Sequence, residues 1–225
     1  MAWRGIIHTI IWLFALGLIL FVAAGDWLWP QGWAFLGETG ACSIALCMWL
    51  ARHDAALLEA RISMRFHRDQ KLWDRVFMTG AGIGFIVWLV LAALDGHRFR
   101  WSSVPLWGQG LGATLIALCM LGAWLVFRAN SFAAPQVRVQ AERGQTVVTT
   151  GPYRFVRHPM YAAAILYFIG VPLLLGSLWA LAPVPLFVIG FAGRAIGEER
   201  VLRHALPGYT DYADTVRHRL IPGLW

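Results

Sequence analysis

The sequence predicts an all-α polytopic membrane protein with about six transmembrane helices, a C-terminal helical hairpin and a pocket at its cytoplasmic end. Three observations carry this reading. Hydrophobic residues fill 59% of the 225 positions and charged residues only 14%, unlike a soluble domain of this size. Apolar runs recur along the chain, each long enough to cross a hydrocarbon layer of roughly 30 Å. Basic residues, finally, cluster in alternate connections, as they do when one side of a bundle faces the cytoplasm.

The spans are expected at about 5–25, 32–51, 76–95, 105–128, 159–175 and 178–197. Arg4 and the apolar run ending in Val22-Ala23-Ala24-Gly25 have the outline of a secretory signal. The run is long for a signal core of roughly 7–15 residues, so it reads as a retained first helix. Seventeen of the 19 Lys and Arg fall at the N-terminus, in the loops after the second and fourth spans, and in the tail. Only Arg98 and Arg100 lie on the other side, so both termini are expected in the cytoplasm. Trp27, Trp29, Trp33, Trp101, Trp107 and Trp179 would form an interfacial belt at the opposite face.

Between the second and third spans, residues 53–75 mix both charge signs with Leu57, Leu58, Ile62, Met64 and Phe66. This suits an amphipathic helix lying on the cytoplasmic interface, or else a solvated connector. Gly80 with Gly84, and Gly108 with Gly112, have the spacing that lets membrane helices approach closely. Cys42, Cys47 and Cys119 sit in apolar runs without metal-ligand spacing and read as small buried hydrophobes. The net charge of +7 is spread between spans and does not form a nucleic-acid-binding surface. Residues 131–150 are polar and end in Thr146-Val147-Val148-Thr149-Thr150, a short extended lead into the turn at Gly151. The chain thus divides into four N-terminal spans with their connector, 1–130, and a functional region, 131–225, within one integral domain.

The stretch Gly151-Pro152-Tyr153-Arg154-Phe155-Val156-Arg157-His158-Pro159-Met160-Tyr161 is the most informative. Proline suits the first turn of a helix, so Arg157 and His158 sit at or just before a helix N-terminus, where unpaired amides favour an anion. A juxtamembrane basic cluster that only anchors the helix to headgroups is the plainer alternative. Gly176-Ser177 joins the last two spans as a tight hairpin, which Pro172, Pro183 and Pro185 should bend. Arg194 and Glu198, four apart on one helix face, can pair, and charges at this depth usually face the bundle interior or a wet cavity. The tail, with Tyr209-x-x-Tyr212 and Arg217-His218-Arg219, suggests a short helix folded back over the cytoplasmic face.

An anion site at Arg157 and His158, a cation site at Glu198 or Glu199, and nearby tyrosines suit a ligand with a carboxylate, an ammonium group, a further positive centre and a flat base. S-adenosylmethionine has all four, although composition alone does not choose the ligand. Its methyl transfer needs positioning and electrostatics rather than a metal or a protein nucleophile.

Gly151-Pro152-Tyr153-x-x-x-Arg157-His158-Pro159-x-Tyr161, then Arg194-x-x-x-Glu198-Glu199, then Tyr209-x-x-Tyr212 and Pro222, resembles the isoprenylcysteine carboxyl methyltransferase family, whose superfamily includes phospholipid N-methyltransferases. The similarity is detailed over about 140–225 and looser back to Lys71-x-Trp73-Asp74-Arg75. It implies a membrane enzyme taking S-adenosylmethionine from the cytoplasm and a lipophilic acceptor from the bilayer. It also implies a cofactor site of Gly151, Pro152, Tyr153, Arg157, His158, Pro159, Tyr161 and Glu199. Arg194 and Glu198 would be the catalytic pair, with Arg194 steering the acceptor. The acceptor stays open between an isoprenylcysteine-like carboxylate, a lipid and a small thiol. Two other readings stand beside this one: an NADPH-dependent membrane reductase of the sterol type, and a non-catalytic membrane sensor that kept the pocket.

Overall fold

The computed structural model describes residues 2–63 and 71–225. These residues form eight α-helices: α1 (Ala2–Ala24), α2 (Pro30–His53), α3 (Ala55–Ile62), α4 (Leu72–Ala93), α5 (Leu106–Ala129), α6 (Pro159–Leu175), α7 (Val184–Ala205) and α8 (Tyr209–Thr215). No strand occurs among the described residues. Among the described residues, five helical stretches are long and apolar enough to cross a membrane, and the 17-residue α6 is a shorter apolar helix. At 1.5 Å per residue α6 reaches only about 26 Å. The protein is an integral membrane protein.

In a bilayer lipid tails are as apolar as leucine, so helices associate through close packing and buried hydrogen bonds. Both devices are visible. Gly112 of α5 lies against the backbone of Gly170 and Leu174 of α6, and a Cβ on Gly170 would stand 2.7 Å from the Gly112 carbonyl. The other glycines singled out by spacing do not mediate a helix crossing. Gly80 faces open space, Gly84 only grazes Phe187, and Gly108 meets Val104 of its own connection.

At the far end of the hairpin, α4 continues as a π-helical turn, Leu94–Phe99, carrying the buried Asp95. Its carboxylate accepts from the Ser102 and Ser177 hydroxyls, each at 2.6 Å, and from the Trp179 amide at 3.1 Å. This network fixes the α6–α7 connection. Pro183 and Pro185 do not bend α7. They stand at its start, after a 3-10 turn at Trp179–Leu181, so the last apolar stretch begins at Trp179, close to the expected position, and runs on to Ala205. Proline lacks the amide that a helix interior needs and is tolerated in the first turn; Pro172 alone lies inside a helix of the hairpin.

Trp29 departs from the expected belt. It is 1% exposed and stacks on His97 inside the core, whereas Trp27, Trp33, Trp101, Trp107 and Trp179 are exposed. In the connector, α3 is helical and buries Leu57 and Leu58, while Met64 and Phe66 lie outside the described residues. Residues 131–150 are irregular around a single 3-10 turn at Ala141–Arg143. The tail does fold back: α8 is followed by a segment whose His218 and Arg219 carbonyls accept from the Arg157 and His158 amides at 3.0 and 2.9 Å.

Candidate functional site

A cavity of about 290 Å³ opens between the end of α5, the start of α6, the end of α7, α8 and the segment 130–148. That is close to the lower limit of small-molecule sites, about 300–1,000 Å³. The turn at Gly151 leads into one of its walls. That glycine has φ +59°, and a Cβ there would also press on Ala129 at 2.9 Å, so both backbone and space require glycine. The turn continues as a 3-10 segment, Gly151–Arg154, and brings Tyr153 to the cavity wall. His158 is the N-cap of α6 and Pro159 its first residue, as the sequence predicts.

The two adjacent glutamates separate cleanly. Glu199 is 4% exposed and turned away from the cavity, where its Oε1 accepts from Arg157 Nε at 2.7 Å, His158 Nε2 at 3.2 Å and Arg219 Nε at 3.2 Å. Arg157 is engaged in the same clasp. Its Nη1 donates to the carbonyls of Ala213, Val216 and Arg217 at 3.2, 2.6 and 3.0 Å. Glu198 instead lines the cavity with 27% of its side chain exposed. It accepts from the Tyr161 hydroxyl at 2.6 Å, with His158 Nδ1 at 3.9 Å. Among the described residues no lysine or arginine pairs with it.

Arg194 does not pair with Glu198. Its Nε and Nη2 lie 3.1 and 3.0 Å from Oδ1 of Asp74, and Nη2 also donates to the Pro135 carbonyl. Asp74 is fully buried near the start of α4 and accepts from the Val137 amide at 3.1 Å, so the pair ties α4, α7 and the segment over the cavity together. A pair across the bundle supersedes the local one because both groups are buried, where an unmatched charge is costly.

Aromatic surface completes the site. His158 stacks on Tyr161 and Tyr161 on Phe191, each with centroids 5.4 Å apart and near-parallel rings. Tyr212 donates to the Tyr153 carbonyl at 2.9 Å, and Asn130 donates to the Tyr153 hydroxyl at 2.8 Å. Burial raises the Tyr153 pKa and pushes that of Tyr212 up to about 12, so both phenols keep their hydrogens at neutral pH. Tyr209, 5% exposed and also lining the cavity, has a buried hydroxyl without a hydrogen-bond partner among the described residues. Buried polar groups are seldom left unmatched, so this hydroxyl is available to a water or another polar atom in the cavity.

Of the residues singled out in the sequence, Tyr153, Arg157, His158, Pro159, Tyr161, Arg194 and Glu198 line the cavity. Gly151, Pro152 and Glu199 do not; the first two shape the turn and the third anchors Arg157. Asp74, Arg61 and Tyr209 also help to build the site, although their sequence context points to no role for them there. An acid placed just inside an apolar helix is the signal that could have found Asp74, whereas Arg61 is one basic residue among several in its connector. Among the described residues no group of three or more His, Cys, Asp or Glu is placed to hold a metal.

Residues 107–207, which contain most of this cavity, match the family described as phospholipid methyltransferase. The chain is also 30% identical over 141 residues to the cobalt-zinc-cadmium resistance protein CzcN of Cupriavidus metallidurans, covering 61% of this chain and 62% of that one. It is 27% identical over 141 residues to the nickel-cobalt-cadmium resistance protein NccN of Alcaligenes xylosoxydans xylosoxydans, covering 61% and 63%. The match thus spans about three fifths of the length of these curated relatives. Residues 107–207, somewhat under half of the chain, are thus similar to the phospholipid methyltransferase family, to which the isoprenylcysteine carboxyl methyltransferases are related.

Proposed function

We propose that this protein is an integral-membrane methyltransferase that binds S-adenosylmethionine in the cavity and methylates a lipophilic acceptor drawn from the bilayer. The observation that carries the reading is the division of labour between the glutamates. Glu199 is neutralised by Arg157, His158 and Arg219, whereas Glu198 meets the cavity with a phenol at 2.6 Å and, among the described residues, no guanidinium. A partly desolvated carboxylate of this kind favours a cationic ligand.

The donor set fits the methyl donor. Glu198 supplies an acceptor for an ammonium group, the Tyr209 hydroxyl a free polar atom, and the His158–Tyr161–Phe191 stack a flat apolar wall. When bound, S-adenosylmethionine supplies an electrophilic methyl group on a sulfonium centre, released to a nucleophile by in-line displacement. Tyr161 fixes the Glu198 carboxylate, and the turn at Gly151 fixes Tyr153. The segment at 135–137, held by Arg194 and Asp74, covers the cavity and limits water. Among the acceptors, a lipid is the one that the family match favours. The distribution of basic residues supports cytoplasmic termini, which would give the cavity access to the soluble donor.

The test is methyl transfer from labelled S-adenosylmethionine to a membrane lipid extract by purified protein. The unaltered protein should label a lipid fraction. Glu198→Gln, which keeps an acceptor for Tyr161 but removes the charge, should lower the rate about 10- to 100-fold at unchanged folded yield. Absence of label in any lipid or small-molecule product, or full activity in Glu198→Gln, would refute the proposal.

A further inference from the structure

We infer that Arg61 is the anion-recognising residue of the cavity, its guanidinium taking the carboxylate of an amino-acid-type ligand whose ammonium group is held by Glu198. The inference rests on the methyl-donor reading above and extends it to a residue outside the matched family region. It begins from how the arginines that line the cavity are matched. Arg138 pairs with Glu142 at 2.6 Å, Arg157 with Glu199 at 2.7 Å and Arg194 with Asp74 at 3.0 Å. Arg61 is the exception: no carboxylate pairs with it among the described residues.

What Arg61 does have is a rigid mount. Nη1 donates to the Ala133 carbonyl at 2.7 Å, and the guanidinium lies over the Phe127 ring at 4.5 Å. A guanidinium carries five N–H donors in a fixed fork, so one bond to a carbonyl leaves most of them for another partner. Burial lowers its pKa to about 10, so it stays charged at neutral pH although desolvated. A cation held this way without a counter-ion is costly, and an incoming carboxylate removes that cost through a planar, two-point contact.

Tyr153 strengthens the case. Its hydroxyl already accepts from Asn130, so its own hydrogen is free to donate. Arg61 and Tyr153 therefore offer donors to an anion, and Glu198 offers an acceptor to a cation, all lining one cavity. At the helix N-terminus that the sequence suggested for the anion, the residues singled out are already engaged. The amides of Arg157 and His158 serve tail carbonyls, and the side chain of Arg157 is spent on Glu199 and the tail.

The experiment compares the affinities of S-adenosylmethionine and its decarboxylated analogue, which keeps the nucleoside, sulfonium and ammonium groups. In the unaltered protein the analogue should bind about 10- to 100-fold more weakly, the size of a charge-assisted contact. In Arg61→Gln the two Kd values should converge, because S-adenosylmethionine weakens and the analogue does not. Arg61→Lys should fall between, having charge but no fork. The ratio is taken within each sample, so partial loss of folded protein does not alter it. A ratio near one in the unaltered protein, or an unchanged ratio in Arg61→Gln, overturns the inference while leaving the methyl-donor reading in place. A rise only in the KM of a lipid acceptor would place Arg61 on a lipid phosphate and overturn it equally. Failure of the unaltered protein to bind either compound would sink both.

Discussion

Replacing Glu199 with alanine is expected to cost about 3–5 kcal/mol of stability and to release the C-terminal segment from the body of the protein. The carboxylate is 4% exposed and receives Arg157, His158 and Arg219. Without it, the buried Arg157 keeps only the carbonyls of Ala213, Val216 and Arg217 against its charge. Removing one member of a buried ion pair is far more damaging than removing both, because the survivor's desolvation goes uncompensated. The same arginine joins α8 and the tail to α7, so the loss should propagate to the backbone bonds from residues 157 and 158 to His218 and Arg219. Limited proteolysis should show cleavage beyond Leu206 in Glu199→Ala but not in the unaltered protein, alongside a lower melting temperature. An unchanged melting temperature with a protected tail would mean that this clasp is not what holds the segment down.

A comparable loss is expected at the Asp74–Arg194 pair, with a different signature. Asp74→Leu should cost about 3–5 kcal/mol, since Arg194 would remain buried with only the Pro135 carbonyl and the rings of Phe77 and Tyr161 around it. The double change Asp74→Leu with Arg194→Met should recover most of that stability, as apolar replacement of a whole buried pair often does. Affinity for the methyl donor should not recover with it, because the Val137 amide and Pro135 carbonyl lose the partners that seat their segment over the cavity. A thermodynamic cycle of thermal melts in one detergent, with donor affinity measured on each variant, separates the two effects. If both single changes melt like the unaltered protein, the pair does not organise the site.

Much of this arrangement was legible in the residues. The apolar runs placed five of the helices within a few positions, because membrane spans are dictated by length and hydropathy, which are local properties. Pro159 marked the start of α6 for an equally local reason. Gly151-Pro152 and the Arg157-His158 pair pointed to the end of the bundle where the cavity lies. The distribution of partners was not legible. Arg194 and Glu198 had the spacing of a helix pair, yet Arg194 reaches Asp74, 120 residues away, and Glu198 is left to the cavity. Spacing along one helix predicts which side chains can touch; burial decides which of them must be neutralised, and that depends on helices brought together only by the fold. Trp29 shows the same limit. Its position in sequence is interfacial, but packing between α1, α2 and the π-helical turn puts it in the core. Arg61 could not be distinguished from its basic neighbours until Phe127 and Ala133 fixed it beside the cavity.

The reading stands or falls on whether the cavity beside Glu198 holds S-adenosylmethionine, and titration calorimetry of the purified, detergent-solubilised protein tests this directly. The prediction is saturable, one-to-one binding of S-adenosylmethionine, weakened about 10- to 100-fold in Glu198→Gln, with no binding of NADPH. Heat of binding for NADPH and none for S-adenosylmethionine, or equal affinity in the Glu198→Gln protein, would contradict it.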